Sequence, residues 1–388
     1  MPILTASELF RRAQSLPRLQ PLLESLGGAS APAVYLVGGA VRDLLSGQRP
    51  ADLDLAVEGE LEEVTARLGG ALESHDRFTT ATLALDGSRY DLARTRAESY
   101  AHPGALPDVR PAGIDEDLSR RDFTVNAIAL GLSGPRAGEL VAAPGALADL
   151  EARTLAVLHE RSFEDDPTRL LRLARYRGRL GFAVAPRTLD LAAAAIALGA
   201  LNTVSGARVG NELRLLAGEP DPVRAFEAVQ ELNLGWTIDA ALARRALSLL
   251  PDDGRPDLLV LALALGSEVP DSYEFPATDR DLIIEAAGVA PQLAMRIAGA
   301  QTGSEVAHAV GAAGVETVAL ASALGQPERL RWWLDDLRKR TLQITGTDLI
   351  ERGIPEGPEI GRRLGAARDA MWDGSAPDRQ SQLEVALA

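Results

Sequence analysis

Residues 33–57 read AVYLVGGAVRDLLSGQRPADLDLAV, and this stretch decides how the first third of the chain is built. Residues 33–37 form a compact apolar run that ends at Gly38-Gly39. The helical pattern AVRDLL follows, so a strand is expected to turn tightly into a helix. Residues 52–57, DLDLAV, alternate apolar and polar positions as a half-buried strand does. Residues two apart on a strand project from one face, which would set Asp52 and Asp54 side by side. Two carboxylates that close repel unless a cation neutralises them, and hard oxygen ligands of this kind suit Mg²⁺. Gly38 and Gly39 would let backbone N–H groups approach phosphate oxygens, with Arg42 on the first helical turn as a charged contact. Each feature also has a plain structural reading. A solvated strand face carries D-x-D by chance, and a tight turn needs glycine for geometry alone. The G-x-G-x-x-G pattern is absent, which argues against a dinucleotide fold.

Working outward, the N-terminal 26 residues read as an amphipathic helix rather than a signal peptide. Residues 80–85 and 90–93 flank Asp86-Gly87, a strong hairpin signal. Residues 101–113, AHPGALPDVRPAG, hold three prolines and two glycines and are expected to form a loop. After about residue 150 strand signals almost vanish. Residues 191–203, 222–234, 242–250 and 329–340 all suit helices. The fold class is therefore α+β, a mixed-sheet head followed by a long helical body. Glycine- and proline-rich breaks fall at 133–145 and 250–256, and 344–364 is a compact turn-helix pattern.

Composition bounds the function. The 388 residues are 46% apolar and 24% charged, enough for two to four domains. No uninterrupted apolar run reaches the ~18–20 residues of a membrane span. There is no cysteine, which excludes disulfides and thiolate chemistry and fits a cytoplasmic protein. Four scattered histidines make a poor zinc cage. Forty basic and fifty-five acidic residues give a net charge of −15, unlike a protein that coats nucleic acid indiscriminately. Yet residues 168–180 carry Arg169, Arg172, Arg175, Arg177 and Arg179 with no acid, so a nucleic acid could be gripped locally.

Two further clusters bear on chemistry. Residues 120–127, RRDFTVNA, are expected to open a helix running on through Ile128, Ala129 and Leu130, with Asp122 and Thr124 suited to capping its first turn. Residues 163–172, FEDDPTRLLR, should lead into a helix with Pro167 in the first turn and Asp166 and Arg169 on one face. A carboxylate only accepts hydrogen bonds and a guanidinium only donates them. Cytosine and adenine both present an amino donor beside a ring-nitrogen acceptor, while guanine and uracil present the opposite order. Such a pair can thus accept C and A and mismatch G and U. An ordinary helical salt bridge is the alternative.

Taken in order, GGAVRDLLSG, DLDLAV and RRDFTVNA resemble the class II tRNA nucleotidyltransferase / bacterial poly(A) polymerase family, in the polymerase-β-like nucleotidyltransferase superfamily. The resemblance is close over residues 33–215, with a family-like tail at 344–364. It implies a head (1–145), a neck (146–217), a body (218–328) and a tail (329–388), the last three helical. It makes Asp52 and Asp54 the catalytic, metal-binding carboxylates, with Asp91 where the superfamily often places a third acid, a structural role being the alternative for Asp91. It makes Gly38, Gly39 and Arg42 triphosphate contacts, and Arg121, Asp122 and Asn126 contacts to the nucleotide sugar and phosphates. The family uses E-D-x-x-R as an amino-acid template for the incoming base. Here the segment reads D-D-x-x-R, with Asp165 in place of Glu and with Asp166 and Arg169 matching. Arg172, Arg175 and Arg179 either line the nucleotide or primer route or pair with body acids. Arg208 and Glu212 read as structural support in the last neck motif, and Trp332-Trp333 as helix core rather than an RNA stack.

The implied activity is addition or repair of the 3′-terminal CCA of tRNA from CTP and ATP, without a template and with Mg²⁺. The implied partners are tRNA, ATP and CTP, with no membrane. Three alternatives stand beside it. An A-only enzyme would need a separate CC-adding partner. A poly(A) polymerase usually carries a basic C-terminal extension. A non-catalytic RNA-binding relative would have lost a D-x-D carboxylate. CC-only members lack part of the loop before R-R-D, whereas here 23 residues separate Arg96 from Arg120, which disfavours that activity.

Overall fold

The computed structural model describes residues 4–28, 30–69, 71–75, 80–85, 87–325 and 327–388. They form two compact units, Met1–Val204 and Ser205–Ala388.

In the first unit the N-terminal amphipathic pattern becomes two helices, α1 (Ala6–Gln14) and α2 (Gln20–Leu26). Thr5 and Glu8 close a capping box on α1. Pro17 and Pro21 explain the split: a helix interior tolerates neither, whereas the first turn of α2 accepts Pro21. Next come β1 (Ala33–Val37), α3 (Gly39–Leu45), β2 (Asp54–Glu58), α4 (Leu61–Leu68), β3 (Ala71–His75), β4 (Thr80–Leu85) and β5 (Ser88–Arg94). Leu85 pairs with Ser88 across the expected hairpin, while Asp86 of its turn lies outside the described residues. The unit continues with β6 (Arg96–Ser99), β7 (Asp108–Pro111), α5 (Ile114–Ser119), β8 (Ile128–Gly131), β9 (Leu140–Ala142), α6 (Ala146–Glu151) and β10 (Thr154–Leu155). It ends with α7 (Ser162–Asp165), α8 (Arg169–Leu180), β11 (Ala183–Val184) and α9 (Pro186–Ala197).

The sheet order is β3-β4-β5-β2-β1-β8-β9, and β2/β5 is its parallel pair. Every residue of β1 and β8 is buried. The expected helix through residues 128–130 is thus a central strand, preceded by a single 3₁₀ turn over Thr124–Asn126. A strand buried on both faces shows no alternation, and four apolar residues cannot be told from helix by periodicity. The expected loop at 101–113 is also corrected, because β7 pairs antiparallel with β6. Pro111 is tolerated at the end of that two-stranded ribbon, where no further ladder bond is required of it.

The second unit is described as helices. α10 (Gly206–Ala217), α11 (Pro222–Glu231), α12 (Ala240–Leu249), α13 (Pro256–Leu265), α14 (Ala277–Arg296), α15 (Gly303–Val310), α16 (Val315–Leu324) and α17 (Pro327–Asp335) come first. α18 (Gly346–Ile350), α19 (Pro358–Trp372) and α20 (Arg379–Leu387) follow. Leu259, Leu293, Ile297, Val318, Leu330 and Leu337 centre one apolar cluster, with Trp333 packed against it. Ile344, Leu349, Ala367 and Leu383 centre another. Trp333 takes the core role expected of it, whereas Trp332 is 37% exposed and donates through its indole N–H to Asp336. α14 is long and apolar enough to cross a membrane by composition, but Ile283, Ala286, Ala290 and Leu293 of it are buried within the unit.

Candidate active site

The site is built at the start of β2. Asp54 is its first residue, and the parallel register places it beside Asp91 of β5. Register partners in a parallel ladder project from the same face, so the two carboxylates are neighbours. Asp52 lies two residues before the strand begins rather than on it, which corrects the expected i, i+2 strand pair. Its charge still reaches Asp54. Burial pushes the Asp54 carboxyl above its ordinary value; Arg121 opposes that, and Asp52 and Asp91 add to it. Thr82 donates from its hydroxyl to Asp91 Oδ1 at 3.1 Å. Asp54, Thr82, Asp91, Asp117, Arg120 and Arg121 line a cleft of about 420 Å³.

These acids fit a hard divalent cation. They are oxygen donors whose mutual repulsion disfavours ionisation of Asp54, and a cation relieves that repulsion. Among the described residues no three such side chains form a ready-made metal cage.

The glycine turn stands against this cleft. Gly38 has φ +67°, a left-handed value that glycine adopts without cost, and its N–H donates to the Ile128 carbonyl. A Cβ there would lie 3.0 Å from Arg121 Nη1, and one at Gly39 would lie 3.3 Å from Arg42 Nη2. Absent side chains let two guanidiniums approach the backbone of the turn.

Those guanidiniums are held by carboxylates that the motifs alone did not single out. Arg42 is buried. Its Nε and Nη2 donate to Asp43 Oδ1 at 2.9 and 2.7 Å, and its Nη1 to Asn126 Oδ1 at 2.6 Å. Asn126 in turn donates to Asp122 Oδ1 (3.1 Å), which also accepts the Phe123 N–H (2.8 Å). Asp122 Oδ2 accepts both Nε and Nη2 of Arg172, at 2.9 and 2.5 Å. Asp122 therefore caps no helix, contrary to expectation; it joins the 3₁₀ turn to α8. Burial works against its ionisation, but Arg172, Asn126 and the Phe123 N–H outweigh that and hold its carboxyl down at about 2.

Asp117, on the last turn of α5, is a second hub. Its Oδ1 accepts from Arg120 Nε and Nη2 and from the Arg96 N–H, and its Oδ2 accepts from Arg121 Nη2 at 3.0 Å. Burial raises its pKa, yet Arg121 and Arg120 more than reverse this and leave it below the ordinary range. Arg121 Nε is buried and finds no protein acceptor. Arg120 also reaches Glu98 Oε1 at 2.7 Å, tying the β6–β7 ribbon to the R-R-D segment.

The D-D-x-x-R segment departs from expectation. Asp166 and Arg169 are not i and i+3 on a helix, because α7 ends at Asp165 and α8 begins at Arg169. Asp166 Oδ1 accepts both the Thr168 N–H (3.0 Å) and the Thr168 hydroxyl (2.6 Å). This Asx turn carries the chain round Pro167, which precedes the helix instead of opening it. Arg169 is buried, donating to Ser162 Oγ and to the Arg120 carbonyl, each at 2.7 Å. Glu98, Tyr100, Arg120, His159, Asp165 and Arg169 line a cavity of about 450 Å³. Arg120 lines both this cavity and the acidic cleft. Arg208 and Glu212 lie in the second unit, on α10.

Residues 34–156 match the Poly A polymerase head domain family. The chain is 34% identical to an A-adding tRNA nucleotidyltransferase of Geobacter sulfurreducens, aligning over 91% of its own length but only 45% of that relative. It is 35% identical to a CC-adding tRNA nucleotidyltransferase of Deinococcus radiodurans, covering 97% of itself and 96% of that protein. Among solved structures, the apo form of a CCA-adding enzyme superimposes with a TM-score of 0.81 at 30% identity, over 100% of this chain and 99% of that one. CCA-adding enzymes solved with CTP, with ATP and, from Thermotoga maritima, with tRNA share the fold at 27–28% identity, with TM-scores of 0.77 to 0.79 and coverage of 100% of this chain and 99% of theirs. With sequence similarity along nearly the whole chain and a shared fold throughout, this protein belongs to the tRNA nucleotidyltransferase family.

Proposed function

We propose that the chain builds or repairs the 3′-terminal CCA of tRNA from CTP and ATP, without a nucleic-acid template. The observation that carries this is the convergence of Asp54, Asp91 and Arg121 on one cleft beside the Gly38 turn, in a chain of this family. Asp52 and Asp54, with Asp91 as a third acid, would hold a divalent ion, which we take to be Mg²⁺. When bound there it polarises phosphate oxygens and favours the ionised form of an attacking hydroxyl.

The protein's own part is orientation and charge. Arg121, which lines the cleft, would offer its guanidinium to a phosphate oxygen. Arg42 and the backbone at Gly38 and Gly39 complete the triphosphate cradle. Asp122 and Asn126 act first on Arg172 and Arg42, and through them on the nucleotide. The primer 3′-hydroxyl then attacks the α-phosphorus in line; the new O–P bond forms as the α–β bridging bond breaks, and pyrophosphate leaves. Arg169 selects the base, with Asp165 beside it in the cavity and Asp166 fixing the turn between them. The division into head, neck, body and tail, with the body and tail measuring tRNA, belongs to the same proposal, as does a cytoplasmic location.

A second reading is favoured by the relatives at 34% and 35% identity, which are named A-adding and CC-adding. This chain would then add part of the CCA and work beside a separate enzyme. The test is incorporation of labelled CTP and ATP, separately and together, into tRNAs ending before CCA, after C and after CC. Extension of all three establishes complete CCA addition. ATP addition confined to the CC-ending tRNA, or CTP addition without ATP, establishes the divided activity. No incorporation into any of them refutes both.

A further inference from the structure

One residue outside every motif described so far stands where the site's arginines meet. The ring of Tyr176, on α8, has the Arg175 guanidinium 5.0 Å from its centroid, that of Arg42 at 5.8 Å and that of Arg179 at 5.9 Å. Phe123 of the R-R-D segment meets the same ring edge-on, with centroids 5.8 Å apart. Guanidiniums within about 6 Å of a ring centroid are drawn to its negative face, more strongly where water is excluded.

Arg42 shows why this contact matters. Three of its five N–H groups, one each on Nε, Nη1 and Nη2, are engaged by Asp43 and Asn126. Asp43 is its own neighbour on α3, so it moves with Arg42 and fixes nothing relative to the rest of the site. The fixed references are Asn126 and the Tyr176 ring. Both lead to α8: Asn126 through Asp122 and Arg172, and Tyr176 directly. Arg169, Arg172 and Tyr176 are spaced by three and four residues and so share one face of that helix. One rigid face thus carries the arginine that lines the base cavity, the arginine that holds Asp122, and the ring beside Arg42.

We infer that Tyr176 is a positioning residue: its ring holds Arg42 in the orientation that receives the triphosphate, and so locks the triphosphate site in register with the base site on the same helix. The ring does this and not the hydroxyl, since the cations meet its π-face. The inference rests on the reading of Arg42 as a triphosphate contact.

The experiment is steady-state incorporation of ATP and CTP into tRNA by Tyr176→Leu, Tyr176→Phe and Arg42→Ala, read as KM and kcat separately. Tyr176→Leu should raise KM for both nucleotides about tenfold, with kcat within about threefold of the parent, and Tyr176→Phe should restore the parent KM. A leucine variant with unchanged KM overturns the inference, as does a phenylalanine variant as impaired as leucine. Should the leucine variant not fold, Tyr176→Phe carrying one, two or three ring fluorines keeps the shape and drains the π-face. KM should then climb with each fluorine, and a flat series overturns the inference. If Arg42→Ala also leaves KM unchanged, the triphosphate assignment falls, and the inference with it. A large rise for Arg42→Ala beside a flat Tyr176 series refutes the role of Tyr176 alone.

Discussion

Replacing Arg172 by leucine strands a buried carboxylate, and the cost can be worked from the site. In the intact protein the Asp122 carboxyl falls from an ordinary 3.8 to about 2, although burial alone would raise it. That difference, at about 1.4 kcal/mol per pH unit, means the fold favours the ionised form by about 2 kcal/mol. Arg172 is the foremost attractive contributor, through its charge and its two hydrogen bonds to Oδ2. Its own side chain is 34% exposed, so water partly replaces it and the figure stays near the low end for a broken buried pair. Arg172→Leu should therefore destabilise the protein by about 2 kcal/mol at pH 7, a fall in Tm of roughly 4–8 °C for a unit of this size.

The pH dependence has a definite sign. A depressed carboxylate stabilises the fold fully above its unfolded pKa and loses that contribution as pH falls through its folded value. The gap between parent and variant should thus be constant above about pH 5 and shrink between about pH 4 and 2. Urea unfolding followed by circular dichroism, at pH 7 and pH 3.5, measures it. A cycle with Asp122→Asn isolates the pair and should give a coupling of about 2 kcal/mol at pH 7. A coupling below about 0.5 kcal/mol, or a gap as wide at pH 3.5 as at pH 7, refutes the reasoning.

Two further outcomes follow from the same geometry. Arg169→Ala removes a donor from the cavity proposed to receive the base, so preference for CTP and ATP over UTP and GTP, measured as a ratio of kcat/KM, should fall about tenfold or more; an unchanged ratio removes Arg169 from base selection. Gly38→Ala forces an L-residue to φ +67° and sets a Cβ 3.0 Å from Arg121 Nη1, so it should cost about 1–2 kcal/mol in unfolding experiments and raise KM for nucleotide; parent-like stability and KM would show that the turn is not held as described.

Much of the head could be read from local patterns, and the misreadings share physical causes. β1 and the first helix after it were legible because the apolar run and the glycines mark both boundaries. β8 was not, because a strand with neighbours on both sides and cover on both faces loses its alternation. β7 was hidden by prolines that count against a strand until it proves to be a short ribbon. The D-x-D pair was expected on one strand face, but only Asp54 belongs to the strand. Asp166 shows the limit of spacing arguments: i, i+3 places two residues on one face only if both are helical, and the Thr168 bonds stop the helix short of Asp166. Asp117 carried a usable signal, standing three and four residues before Arg120 and Arg121. Asp43 carried none, and Tyr176 only the i, i+3 spacing to Arg179. A pair adjacent on a helix is not expected to face, and a ring's cations gather from α3 and α8 only once the chain is folded.

The most direct measurement is single-turnover incorporation of labelled CMP and AMP into tRNA by the parent chain and by Asp52→Asn and Asp54→Asn, with folding checked by circular dichroism. Both variants should stay folded and lose transfer by on the order of a thousandfold or more, since carboxylates holding a catalytic metal, as proposed, would supply several kcal/mol of transition-state stabilisation. Transfer that persists near the parent rate in either variant would contradict the assignment of the catalytic carboxylates, and with it the mechanism proposed for this site.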